Sequence, residues 1–176
     1  SDIARLKSAR FVTSTEPNEG MRLNEGLIKQ LSGEDSVTAR KLYSDEFEFL
    51  PEFKLWMGTN HKPIIRGTDT GIWRRVHMIP FEVSISDEKK DKHLPGKLRA
   101  EIAGILNWAV EGYRLYASEG LKMPGAVAKA VAEYRHEMDS ISQFLEECTE
   151  PGGEVPANVL YAAYKDWARD GEQYIH

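Results

Sequence analysis

Residues 53–63 read Phe-Lys-Leu-Trp-Met-Gly-Thr-Asn-His-Lys-Pro, and the fold of the chain is inferred outward from them. The mostly apolar first half predicts a buried strand that ends at Gly58. Pro63 ends the pairing, because proline has no N–H to donate to a sheet. Open α/β sheets bind their ligands in the crevice outside the carboxyl ends of the strands. Asn60, which follows this strand, is therefore a candidate site residue, although asparagine at a strand end also forms Asx turns.

Composition limits the class of protein. The chain has 176 residues, of which 41% are hydrophobic and 29% charged, and this suits one ordinary domain or a domain plus a fragment. No apolar run approaches the ~18 residues that a membrane span requires, and no signal peptide opens the chain, so we expect a cytoplasmic protein with no membrane partner. The single Cys148 excludes an internal disulfide. The net charge is −5, but the charges are unevenly distributed along the chain. Between residues 60 and 81 there are four basic residues (Lys62, Arg66, Arg74 and Arg75) and one acidic residue, Asp69. Such a local basic stripe favours phosphate contact.

Two segments before the central strand carry candidate side chains. Residues 10–16 predict a β-branched strand whose carboxyl end presents Glu16. Residues 18–33 predict a helix that is capped by Asn18 and carries Lys29. A carboxylate at a strand tip can hold Mg²⁺ through water or orient the attacking water in nucleotide hydrolases. The alternatives are a solvated acid and a surface lysine.

A hairpin precedes the central strand. Residues 36–43 and 47–57 predict two strands around a turn at 44–46. Arg40 and Lys41 lie near its tip, where they are either phosphate contacts or solvated charges.

Two adjacent arginines follow the central strand. Residues 67–71 form a turn cluster, and Arg74 and Arg75 lie between Trp73 and an apolar strand that is expected to reach Phe81; the arginines themselves could be extended as well. Neighbouring side chains of a strand point to opposite faces, so only one of these arginines could reach a given phosphate. The alternative is a structural salt bridge.

The rest of the chain predicts helices. The mixed-charge run 86–92 marks a boundary, and helices are expected from about Pro95 to Ser118, from Pro124, and from Pro156. The first has an apolar stripe that we expect to be buried, formed by Leu98, Ile102, Ile105, Leu106, Ala109, Tyr113 and Tyr116. The last has an apolar face with no evident partner in the sequence, which suggests the first helix of a truncated module. The predicted domains are therefore 1–85, 86–150 and 151–176.

Four segments together resemble a known family. Residues 10–16, 23–35, 53–63 and 72–81 occur in an order and at spacings that resemble the phage and plasmid primase-helicases, a branch of the superfamily-three DNA helicases. The resemblance covers about residues 8–150. It implies an α/β fold, namely a partial AAA+ P-loop sheet with a β-hairpin, followed by an α-helical C-terminal subdomain. It also implies ATP and Mg²⁺ as cofactors, single-stranded DNA as partner, and a homo-oligomeric ring, expected to be a hexamer.

The resemblance assigns roles at the nucleotide. Glu16 resembles the Walker B acid, which works with Mg²⁺ and the hydrolytic water. Asn60 resembles the sensor that hydrogen-bonds the γ-phosphate or that water. Arg74 and Arg75 resemble the arginine finger of a neighbouring subunit's ATP site, and Arg75 is favoured. Lys29 is a weaker candidate for contact with ATP or DNA.

The resemblance also assigns roles at the DNA. The hairpin of residues 36–50 resembles the pre-sensor hairpin, which tracks single-stranded DNA in the channel of the ring. Arg40 and Lys41 would then contact phosphates without reading sequence. The tail after Pro151 resembles the start of a winged-helix module.

The chain departs from this family in one respect. No G-x-x-x-x-G-K-[ST] phosphate loop occurs, since the only Gly-Lys pair, Gly96-Lys97, is followed by Leu98. We expect that loop to precede Ser1 in a longer protein, and the chain alone to be inactive as an ATPase. A sheet without that strand would have an unpaired edge, so association of copies is expected. The single acid at Glu16 favours a water-positioning role over direct Mg²⁺ ligation.

Two other classes of function were weighed. A non-enzymatic DNA-binding or oligomerisation module would use the basic hairpin and the helical tail as a scaffold. A metal-dependent nuclease is disfavoured, because the five histidines are scattered and no paired carboxylates follow predicted strands. No metal ligand set is predicted.

Overall fold

The computed structural model describes residues 2–15 and 20–171. It has two compact units, one formed by Ser1–His77 with Val131–His176 and the other by Met78–Ala130. The predicted boundaries at 86 and 151 differ from this division, because the chain after residue 130 returns to the unit that holds the strands. None of the helices in the described part is both long and apolar enough to cross a membrane.

The strands of the first unit form two small sheets. Strand β1 (Phe11–Thr15) pairs in parallel with β4 (Lys54–Gly58), in a register that runs from Phe11 opposite Lys54 to Thr15 opposite Gly58. Strands β2 (Val37–Arg40) and β3 (Glu46–Phe49) form an antiparallel hairpin. The strand predicted at 10–16 and the hairpin are confirmed in outline. The prediction of a single strand over 47–57 is wrong. The strand is interrupted between Phe49 and Lys54, around Pro51, whose nitrogen cannot donate a hydrogen bond.

The first helix is shorter than the sequence pattern predicts. Helix α1 covers Glu25–Leu31, and its N-cap is Asn24, whose side chain accepts a hydrogen bond from Leu27 N at 3.0 Å. The predicted cap, Asn18, lies outside the described residues. The described residues just before Asn24 are not helical, because their backbone groups form hydrogen bonds with Ile64 instead. Ile64 N donates to Met21 O, and Leu23 N donates to Ile64 O.

One apolar core holds the N-terminal elements together. A 3₁₀ turn at Asp2–Leu6 packs with α1 and the hairpin. The buried side chains of this cluster are Ala4, Leu31, Val37, Ala39, Phe49 and Phe53.

The second unit is helical and exposes its apolar residues. Helix α3 covers Leu94–Ala100 and α4 covers Ile102–Glu119, so the helix predicted over 95–118 is divided at Glu101. The expected burial of its stripe is wrong, because neither helix has a buried residue. The described residues 78–130 contain only these helices and the start of α5 (Gly125–Met138), so the unit itself provides no opposing layer.

The C-terminal helices pack on each other. Asp139 follows the last residue of α5 and caps α6 (Ser140–Cys148). Its Oδ1 accepts a hydrogen bond from Ser142 N at 3.0 Å. Helix α7 (Ala157–Asp170) buries Tyr164 and Ala168 against Phe144 of α6. The prediction that this last helix lacks a partner in the sequence is wrong, because α6 provides an apolar face. Its assignment to a winged-helix module stays a prediction.

Candidate functional site

The carboxyl ends of β1 and β4 lie side by side. Thr15 is the last residue of β1 and is opposite Gly58, the last residue of β4. Glu16, the predicted Walker B acid, lies outside the described residues, but it follows Thr15 directly in the sequence. Asn60 follows Gly58 by two residues. The strands that precede the two predicted residues therefore run in the same direction and end together.

Thr59 closes the turn after β4, and this leaves the Asn60 amide unused. The Thr59 hydroxyl donates to His61 O at 2.6 Å and accepts from His61 N at 3.1 Å. Asn60 is exposed, and within the described part of the chain its side chain has no hydrogen-bond partner. The asparagine turn that the sequence offered as an alternative is thus made by threonine. The amide of Asn60 remains available as both a donor and an acceptor.

The segment after Asn60 is held by helix α5. Lys62 Nζ donates to both carboxylate oxygens of Glu137, at 2.7 and 2.6 Å. The buried Tyr134 hydroxyl donates to the carbonyl of Pro63. Burial, reinforced by the negative charge of Glu137, raises the pKa of Tyr134 well above its usual value, so the phenol keeps its proton. Sequence reasoning missed these contacts, because the partners are about seventy residues apart.

A carboxylate from α1 holds the next turn. Glu25 Oε1 accepts hydrogen bonds from the backbone N–H groups of Arg66 and Gly67, each at 2.9 Å. A Cβ at Gly67 would collide with the other oxygen of Glu25, so a side chain there would push the carboxylate away. Trp73 Nε1 donates to Gly67 O at 2.8 Å, and Arg135 donates to Thr68 O at 3.1 Å. Glu25 lies in the segment that carries the resemblance, but no pattern predicted these backbone contacts.

Lys29 is paired with a carboxylate that caps the helix before the two arginines. Asp69 Oδ1 accepts from Ile72 N at 3.3 Å and so caps α2 (Thr70–Trp73). Lys29 Nζ lies 2.9 and 3.2 Å from the two carboxylate oxygens of Asp69. The hydrogen bond from Lys29 holds the pKa of Asp69 below its usual range. Lys29 thus links α1 to α2, although it was predicted as a contact for ATP or DNA.

The two arginines have different surroundings. The apolar strand expected after the arginines is wrong, because the residues that follow Trp73 have no regular structure up to α3, and Asp69 starts a helical turn at Thr70 just before them. Arg75 NH1 donates to Gly71 O at 2.6 Å, and its buried Nε has no partner in the described part. Arg74 is exposed, and its guanidinium contacts no polar group of the described residues.

The hairpin tip holds the predicted DNA contacts. Arg40 ends β2 opposite Glu46. Lys41 follows it, is exposed, and forms no ion pair with the described residues. The hairpin forms a sheet separate from that of β1 and β4, so its tip is treated as a separate candidate surface.

A groove beside α1 is lined by residues other than the predicted site residues. Its volume is about 610 Å³, and none of the predicted site residues lines it. Its lining residues are Arg22, Leu23, Asn24, Glu25, Gly26, Arg66 and Gly67. Across residues 2–15 and 20–171, no three His, Cys, Asp or Glu side chains are grouped so that they could hold a metal ion.

Three viral proteins resemble the chain in sequence. "Putative helicase 022R" of Frog virus 3 (isolate Goorha) is 31% identical over an alignment 186 residues long, gaps included. The alignment covers 94% of this chain and 19% of that protein. "Putative helicase L207/L206" of Acanthamoeba polyphaga mimivirus is 30% identical over 161 residues, covering 82% of this chain and 17% of that protein. "Putative helicase 184R" of Invertebrate iridescent virus 6 is 35% identical over 83 residues, or 40% of this chain. All three are named as helicases.

The similarity to the first two viral proteins extends over most of this chain but over only a small part of each viral protein. The chain spans about a fifth of the length of the first two relatives. No protein-family model matches it. The matches to proteins of large DNA viruses therefore support a resemblance to helicases in general.

Proposed function

We propose that this chain is part of the motor domain of an ATP-dependent DNA helicase of the superfamily-three, primase-helicase type. The observation that carries the proposal is the parallel register of β1 and β4, which ends with Thr15 opposite Gly58. A carboxylate and an amide that follow these two strand ends could act on one water molecule. The viral relatives named as helicases support the same assignment.

The nucleotide chemistry follows from the side chains that the strands present. A bound Mg²⁺–ATP would supply the reactive γ-phosphoryl group, and a phosphate loop from a segment of the parent protein would hold it. Asn60 has an unused amide, which fits a hydrogen bond to a phosphate oxygen or to the attacking water. Glu16 would accept a hydrogen bond from that water and orient it. In phosphoryl transfer, such positioning is most of what a protein contributes.

The exposed Arg74 supports its assignment as the arginine finger. Arg75, which the sequence favours, directs NH1 at the carbonyl of Gly71 and so holds the turn of α2. The guanidinium of Arg74 has no polar partner among residues 2–15 and 20–171, and it could reach a triphosphate on a neighbouring subunit of a ring. An arginine finger in a GTPase is worth about 10³–10⁵ in rate, so its loss should be conspicuous.

The test is ATP hydrolysis by the parent protein with its phosphate loop present. Asn60→Ala and Arg74→Ala should each lower kcat by about tenfold or more, since each removes transition-state contacts. Arg114→Ala is the matched control, because Arg114 lies on the exposed face of α4 beside Glu111. Unchanged hydrolysis in Asn60→Ala would overturn the motor assignment.

Mixing of subunits tests whether the finger acts between them. Glu16→Gln and Arg74→Ala subunits should each hydrolyse ATP slowly alone and faster when mixed, because some hybrid interfaces then contain both an intact carboxylate and an intact guanidinium. The same mixture with Arg75→Ala in place of Arg74→Ala identifies which arginine acts. If no mixture regains activity, neither arginine acts in trans.

A non-enzymatic DNA-binding module is the second candidate, supported by the unpaired Lys41 at the hairpin tip. It predicts DNA binding that does not depend on nucleotide, and Glu16→Gln would then be harmless in the parent protein.

A further inference from the structure

The turn of the hairpin presents a fully exposed aromatic ring. Ser44 N donates to Lys41 O at 3.2 Å and closes a turn whose central residues are Leu42 and Tyr43. Tyr43 is 98% exposed and Leu42 is 79% exposed. The ring of Tyr43 therefore contributes nothing to the packing of the described chain.

The backbone at Tyr43 is strained as well. Its φ of 60° lies in the left-handed region, which glycine and asparagine adopt at least cost. Turn positions with positive φ are usually occupied by these residues. Tyr43 thus breaks two local rules at once, with a ring left in water and a backbone unsuited to it. Such departures are expected where a residue serves function instead of folding.

The charges around the ring nearly balance, so a ligand of the tip would be held mainly by the ring. Lys41, two residues before Tyr43, is exposed and unpaired in the described chain. The acids Asp45 and Glu46 follow the turn, and Glu46 is opposite Arg40 in the hairpin register. The tip is therefore close to neutral overall, and phosphate attraction alone would be weak. Base stacking on an aromatic ring provides affinity that does not depend on net charge.

We propose that Tyr43 stacks on an unpaired base of single-stranded DNA, while Lys41 contacts the adjoining phosphate. The inference rests on the proposed function, because it assumes that the hairpin meets single-stranded DNA. It adds a contact that the basic residues do not provide. The ring would hold one base at a time without selecting its identity, since every base has a π-face.

The experiment is binding of the whole chain to a fluorescein-labelled oligothymidylate, followed by anisotropy. Tyr43→Ala should weaken binding by about fivefold or more, within the range found for loss of one stacked base. Tyr43→Phe should bind as the wild type does, because the ring remains. Phe81→Ala is the matched control and should leave binding unchanged, because this ring is also almost fully exposed but lies outside the hairpin.

Tyr43→Gly separates a structural role from stacking. Glycine accepts the positive φ, so this variant should be as thermally stable as the wild type or more so. It should nevertheless bind DNA as weakly as Tyr43→Ala. If Tyr43→Gly binds as tightly as the wild type, stacking is overturned.

An abasic oligonucleotide of the same length provides the second measurement. The wild type should lose affinity for it, whereas Tyr43→Ala should bind the abasic and the thymidylate strands alike. Photocrosslinking to 5-iodouracil, mapped by mass spectrometry, should identify Tyr43. Crosslinks only elsewhere would overturn the inference.

The outcomes distinguish the inference from the proposed function. If binding depends on Lys41 and on salt but not on Tyr43, the helicase assignment stands and the stacking contact is wrong, which leaves the tip for a protein partner. If the chain binds no single-stranded DNA, the DNA contact of the proposed function fails together with the inference.

Discussion

Single polar side chains hold the loop that follows β4. The Tyr134 hydroxyl is the most deeply placed of them, since the residue is buried and donates to the carbonyl of Pro63. Tyr134→Phe should lower the free energy of unfolding by about 1 kcal/mol, because it removes a hydrogen bond and leaves a carbonyl without its donor. Urea denaturation measures this change. Tyr113→Phe, at an exposed position, should have no effect. Equal losses in the two variants would contradict the role given to the buried hydroxyl.

The pair of Lys29 and Asp69 predicts a dependence of stability on pH. The pKa of Asp69 is lowered in the folded chain, so its contribution to stability is fully present above the unfolded pKa, about 4. It is lost as the pH falls through the folded pKa. Asp69→Asn keeps a helix cap but removes the charge, so its deficit in Tm should be constant from about pH 8 to pH 5 and shrink below about pH 4. A deficit that grows on acidification would contradict this account.

Asp69→Ala is the companion variant. It removes the cap of α2 as well as the ion pair, so it should melt lower than Asp69→Asn at every pH. If the two variants melt together, the cap does not contribute.

At the residue scale, the sequence located the strand ends but could not assign their hydrogen bonds. It placed Asn60 after a strand, and the structure agrees. It could not show that Thr59 would take the turn, because threonine and asparagine compete for the same backbone groups. Nor could it show that Lys29 reaches Asp69, forty residues away. Contacts across such separations depend on how elements pack, which local patterns do not encode.

Among the elements, α6 and α7 form the clearest pair of packed helices. Phe144 is buried and packs against Tyr164, with ring centroids 5.6 Å apart. Phe144→Ala should cost about 3–5 kcal/mol in the unfolding of this pair, because it removes a buried ring and leaves a cavity. Hydrogen exchange of the α7 amides should then approach that of an unprotected helix.

A control substitution on the partner helix α7 tests the specificity of that effect. Val159→Ala, at an exposed position of α7, should change stability by no more than about 0.5 kcal/mol. Unaltered protection of α7 in Phe144→Ala would mean that its partner lies elsewhere.

At the element scale, periodicity succeeded where one face is buried and failed where caps decide. The alternation of Phe47 and Phe49 gave the hairpin correctly. Residues 70–73 form a helical turn because Asp69 caps them, although the sequence predicted only a turn cluster over residues 67–71. In the described part, the helix predicted from residue 18 begins at Glu25, where the side chain of Asn24 accepts a hydrogen bond from Leu27 N.

At the scale of the whole molecule, amphipathic pattern and burial diverge. The α4 stripe has the spacing of a core-facing helix, and the sequence therefore predicted burial. In the structure Trp108 is 79% exposed, and its apolar neighbours on α4 are exposed too. A pattern shows that a face suits burial, but it does not show which part of a chain or assembly covers it.

The exposed faces predict that copies of this chain associate. Leu98, Ile102, Leu106, Tyr113 and Tyr116 of α3 and α4 are all exposed, and a contiguous apolar stripe on a protein surface marks an interaction site. A standard interface buries about 800 Å² per partner, and its fully buried core is more apolar than the rest of a protein surface. Light scattering after size exclusion should give a mass that rises above the monomer with concentration, and Leu106→Glu should reverse it by placing a charge in the stripe. Asn107→Glu adds the same charge to the polar face and should not. A monomer at every concentration would show that the stripe makes no contact between copies, and association that survives Leu106→Glu would move the contact to the unpaired edges of β1 and β4.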